Sequence, residues 1–124
     1  MLPPIYLTAQ DADRLDNLLA SQGPGRHPEL EAELARAEIL KGPAPADLVV
    51  MNAKVQFRIV ATGEQFSRTL VFPKDAGQAG SLSILAPLGS ALIGLKVGDS
   101  IQWPKPGGGL TQVSLDAVTP PSQS

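Results

Sequence analysis

Arg26, His27 and Glu29 stand together at a turn between two helical patterns, with Glu31 and Glu33 just behind them. Imidazole and carboxylate are the usual groups for acid–base work and metal binding. His27 is the sole histidine and the chain has no cysteine. A lone His in a turn, without a set of fellow ligands, reads as a surface residue. The three glutamates open a helix, where carboxylates offset its positive end. Gly107-Gly108-Gly109 has the look of a phosphate cradle, but neither a helix nor a Lys-Ser pair follows, so it reads as a hairpin turn. Phe57, Phe66, Phe72 and Trp103 are enough to wall an apolar pocket, yet their parity also suits the core of a small sheet. No acid-His-Ser set can be assembled. These residues predict no catalytic site, no metal and no cofactor.

Composition narrows the classes further. The 124 residues are 43% hydrophobic and 18% charged, which predicts a folded chain with a real core. A net charge of −2 and a pI near 5.2 lack the electrostatic footprint of a protein that grips nucleic-acid phosphates. No stretch approaches the roughly 18 consecutive apolar residues of a membrane span. The amino terminus has neither a basic region nor a long apolar run, so the expectation is a soluble, cytoplasmic, monomeric protein without direct contacts to nucleic acid or membrane.

The elements that must position these residues follow from punctuation and period. Thr8 caps a first helix with Asp11 three residues on, and Ala9, Ala12, Leu15, Leu18 and Leu19 make its apolar stripe. Residues 23–27 reverse the chain. Pro28 opens a second helix striped by Leu30, Leu34, Ala37 and Leu40 and closed by Gly42-Pro43. Each helix is predicted at about 14 residues, an arm of about 20 Å at roughly 1.5 Å per residue. The hairpin occupies residues 1–46 and a body residues 47–124, where the period changes to 2. Strands are expected at Leu48–Met51, Lys54–Ile59, Phe66–Phe72, Ser81–Ile84, Ser100–Trp103 and Thr111–Ala117. Arg68 shares a parity with the apolar residues of its strand, so either a bulge intervenes or Arg68 lies at an edge. Between the strands, Pro87 starts and Gly94 ends one short helix, with Gly98-Asp99 turning the chain into the next strand. The expected class is α+β: a short antiparallel helical hairpin of coiled-coil type, then a twisted, mainly antiparallel sheet holding one short helix.

Pro87-Leu88-Gly89, Ala91-Leu92, Gly94, Lys96-Val97-Gly98-Asp99 and Pro106-Gly107-Gly108 together resemble the carboxy-terminal domain of the Gre transcript-cleavage factors, which has an FKBP-like fold. Glu33-Leu34-Ala35-Arg36-Ala37, Val50-Met51-Asn52 and Arg68-Thr69-Leu70-Val71-Phe72-Pro73 extend the likeness, over about residues 5–118, to the Rnk family of regulators of nucleoside diphosphate kinase. The resemblance implies a bacterial protein that binds RNA polymerase at the secondary-channel entrance. It places the contact at Ala86, Pro87 and Leu88 and the arm tip at Arg26, His27 and Glu29. Gre factors hold a metal ion with an Asp-x-x-Glu pair at the tip. Here Glu29 has Ala32 where a partner would be needed, and the arm is short. The resemblance therefore implies a regulator that competes with Gre factors without catalysis. Its alternatives are a Gre-type cleavage or elongation factor and an FKBP-like prolyl isomerase.

Overall fold

The computed structural model describes residues 4–23, 25–104 and 108–121. In chain order its strands are β1 Tyr6–Thr8, β2 Glu38–Leu40, β3 Lys54–Ile59, β4 Gln65–Val71, β5 Ser81–Ser83, β6 Ser100–Pro104 and β7 Leu110–Thr119. The helices are α1 Ala9–Gln22, α2 Pro28–Arg36 and α3 Pro87–Leu92, with one 3-10 turn at Pro73–Asp75. Five strands form a sheet in the order β5-β4-β3-β7-β6, and β1 pairs with β2 separately.

α1 begins as the capping pattern predicts. The Thr8 hydroxyl accepts the Asp11 N–H at 3.0 Å, and Gly23, with φ +99°, ends the helix. α2 does not match its expected length. It is 9 residues long and stops at Arg36, because Ala37 turns to an extended backbone (φ −71°, ψ 144°). Residues 38–40, predicted as its last turn, instead run parallel to β1 in the register Tyr6↔Glu38, Leu7↔Ile39, Thr8↔Leu40. The cause is tertiary. Ile5 and Leu7 are each 1% exposed, and a strand buried in this way needs a partner for its backbone. That demand outweighs a helix propensity worth only tenths of a kcal/mol per residue.

The body departs from expectation in one further place. Leu48–Met51 forms no strand. Its backbone makes a single bridge, Leu48↔Lys96, beside the Val49 N–H bond to the Leu95 carbonyl, and Asn52 then turns with φ +71°. The sheet is mainly antiparallel, as expected, through the pairs β3–β4, β3–β7 and β6–β7, and β4 and β5 add one parallel pair at its edge. Of the two alternatives for Arg68, the edge is correct: β5 pairs with β4 only from Thr69 onward, and the register shift lies between Gln56 and Phe57 of β3 opposite β7. Arg68 lays its guanidinium over the Phe66 ring, 5.8 Å from the centroid. Pro106 and Gly107 of the predicted turn, and Ser122 to Ser124, lie outside the described residues.

One apolar core runs through hairpin and body. Leu15 of α1 and Leu30 of α2 are fully buried with Ile5, Val55, Leu92 and Leu115. The hairpin therefore lies down on the body, with α2 against α3.

Candidate functional site

The loop into α3 is held from several sides. The Ala86 N–H donates to the Ser83 carbonyl at 3.0 Å, the Leu85 N–H to the Ser83 hydroxyl at 3.1 Å, and the buried Ser90 hydroxyl to the Ile84 carbonyl at 2.8 Å. A helix of 6 residues cannot sustain itself, and these bonds anchor it to the end of β5. Ala86 is the cap residue without a side-chain bond, Pro87 is exposed at the first helical position, and Leu88 is half-buried against the core. Gly94 ends the segment with φ +81°. A Cβ there would also sit 2.8 Å from that of Ile5, so this glycine both turns the chain and admits the amino-terminal strand.

At the hairpin tip the Glu31 carboxylate reaches back to accept the Gly25 N–H at 3.0 Å and closes the turn. Dipole compensation alone did not foresee that bond. Arg26 and Glu29 are exposed, while half-buried His27 caps α2 through its backbone and makes no side-chain cap bond. Among the described residues no three His, Asp or Glu side chains gather as a metal site.

The fold brings two of the sequence-predicted positions together. Glu29 of the tip and Pro87 of the loop line one groove of about 250 Å³, floored by Ile101 and Trp103. Arg26 and His27 are not among its lining residues. The four aromatic candidates do not share a pocket. Trp103 faces this groove, Phe57 and Phe66 stack at 5.5 Å beside another, and Phe72 carries the Arg14 guanidinium 4.4 Å above its ring.

Sequence reasoning missed what Asp11 does and why Gly89 is there. Asp11 is 7% exposed, and its Oδ2 accepts the Met51 N–H at 3.0 Å, tying α1 to the body. It lies on a cleft of about 470 Å³ with Arg14 and Met51. Burial raises its pKa above the ordinary 3.8, against the opposing pull of the Met51 N–H and of Arg14. A raised carboxylate pKa means that the folded state binds the proton more tightly. Its contribution to stability is complete below about pH 3.8 and is lost as pH rises through the folded value. Asp11→Asn keeps an acceptor for Met51 and removes the charge. The difference in melting temperature, variant minus wild type, should therefore grow between pH 4 and pH 7, as thermal denaturation would show. A constant difference would contradict the shift. Gly89 did leave a signal: a glycine inside so short a helix costs about 1 kcal/mol and points to a packing reason.

Comparison with known proteins adds the following. Residues 3–40 match the family described as Rnk N-terminus, and residues 44–120 the family described as transcription elongation factor, GreA/GreB, C-term. The chain is 42% identical over 118 residues to the regulator of nucleoside diphosphate kinase of Escherichia coli strain K12, covering 91% of this chain and 87% of that one. It is 36% identical over 115 residues to the transcription elongation factor GreA of Beijerinckia indica, covering 91% and 69%. Among solved structures, the transcription elongation factor GreA/GreB from Nitrosomonas europaea superposes with a TM-score of 0.75 at 49% identity, covering 94% of this chain and 98% of the other.

Proposed function

Since the chain belongs to the GreA/GreB–Rnk family, we propose that it is a transcription factor that docks on RNA polymerase at the secondary-channel entrance. The observation that carries this reading is the match of both segments, the hairpin to the Rnk amino terminus and the sheet body to the GreA/GreB carboxy-terminal domain. The contact is the loop Ala86-Pro87-Leu88, whose backbone is bonded in place and whose proline stands in solvent.

The activity on the polymerase has two readings. In the first, the protein occupies the site and competes with Gre factors without stimulating cleavage. This is supported by a tip in which Glu29 has Ala32 three residues on, and by an α2 that lies along α3. In the second it is a Gre-type elongation or cleavage factor, favoured by the 49% identity to a solved structure that bears that name.

The test is binding to core RNA polymerase in competition with a Gre factor, run beside a cleavage assay on stalled complexes. Saturable, displaceable binding is expected, and Pro87→Ala should weaken it by about tenfold, or about 1.4 kcal/mol, without lowering the melting temperature. Unchanged transcript length at saturating protein selects the first reading, and shortened transcripts select the second. Absence of binding at micromolar concentration removes both.

A further inference from the structure

The groove between α2, α3 and β6 joins residues that are far apart in the sequence. Glu29 and Ala32 form one wall, Pro87 and Ala91 the other, and Ile101 and Trp103 the floor. Its volume of about 250 Å³ is below the roughly 300–1,000 Å³ of small-molecule sites, and suits a protruding protein side chain. The two alanines leave room for that side chain to reach the half-buried indole. The charges on the α2 wall are not balanced. Glu33 is paired with Arg36 at 2.8 Å, whereas the exposed Glu29 carboxylate has no partner among the described residues. An apolar slot with one uncompensated negative charge at its edge is complementary to an aliphatic side chain carried beside a lysine or arginine.

Resting on the polymerase reading above, we propose that this groove is part of the docking surface and receives from RNA polymerase an aliphatic residue flanked by a basic one. The hairpin then serves as a wall of the binding site. Trp103 and Ala91 supply contact area, and Glu29 sets polarity and orientation through a charge-assisted hydrogen bond.

The experiment measures affinity for core RNA polymerase with the full chain and three variants. Glu29→Lys reverses the charge at the groove. Ala32→Trp fills the groove from an exposed helical position. Glu64→Lys makes the same charge change at the β3–β4 turn, away from the groove. Emission from Trp103, the sole tryptophan of the wild-type chain, checks that the floor is intact in the two lysine variants. Glu29→Lys and Ala32→Trp should each weaken binding by about tenfold or more, while Glu64→Lys changes it by less than about twofold. If polymerase binds and a Gre factor displaces it, yet both groove variants bind like wild type, the groove is overturned and the polymerase reading stands. Equal loss in Glu29→Lys and Glu64→Lys, with none in Ala32→Trp, also overturns it, because net charge then explains the effect. Failure of the wild-type chain to bind overturns both.

Discussion

Gly89→Ala should lower the melting temperature by about 12 °C, or prevent folding outright. A Cβ at this position collides with the Ser83 carbonyl oxygen and lies 3.0 Å from the Ser83 carbonyl carbon and 3.2 Å from Ile84 Cα. All three are backbone atoms at the end of β5, so no flexible side chain can move aside. Forcing one methyl group into such a contact costs about 3 kcal/mol, the upper range for overpacking, and each kcal/mol is worth roughly 4 °C for a domain of this size. Gly98→Ala separates sterics from backbone conformation. Gly98 has φ +94° with nothing within 4 Å of a Cβ, so its substitution should cost only about 1–2 kcal/mol of backbone strain. Circular dichroism melts of the two variants decide the matter. A Gly89→Ala protein that melts within about 2 °C of wild type would mean that α3 can lift off β5 cheaply. The supposed rigidity of the Ala86–Leu88 loop would then fall with it.

Leu30→Ala should cost about 3–4 kcal/mol, as for a fully buried leucine whose cavity cannot collapse. Leu30 is 0% exposed and shares its core with Leu15, Val55 and Leu115. Because that core is continuous from hairpin to sheet, the loss should appear in the whole molecule as one cooperative transition shifted downward. Hydrogen exchange gives the sharper reading. Amides of β3 and β7 should lose protection together with those of α2 in the variant. If only α2 and its neighbours exchange faster while the sheet keeps wild-type protection, the hairpin is an independent unit, and the groove it walls is loosely held.

Local chemistry made several features legible. Thr8 before a polar-apolar repeat, Pro87 and Gly94 bracketing one and a half turns, and the alternation of Val55, Phe57 and Ile59 each act within a few residues, through a cap, a fixed φ or a pleat. The structure keeps all of them. The signature around Pro87 is equally local, and it pointed to the same family as the full comparison. The end of α2 was not legible, because its last predicted turn is captured by β1, more than thirty residues earlier. Leu48–Met51 was apolar enough for a strand, but Gly94 and Leu95 arrive from a distant segment and each offers Val49 one bond, beside the single bridge Leu48↔Lys96.

The candidate site divides along the same line. The sequence by itself determined that the tip has no paired carboxylates of the Gre type, and that a proline stands at the head of a short helix. Both are matters of residue identity and spacing. Only the tertiary structure decided that Glu29 and Pro87 line one groove over Trp103, that Asp11 reaches the Met51 N–H, and that Gly89 sits against the Ser83 carbonyl. Each of these depends on two or more segments meeting at a particular depth and angle. That meeting is set by the shared core of Ile5, Leu15, Leu30 and the sheet, whose energy belongs to no single stretch of chain.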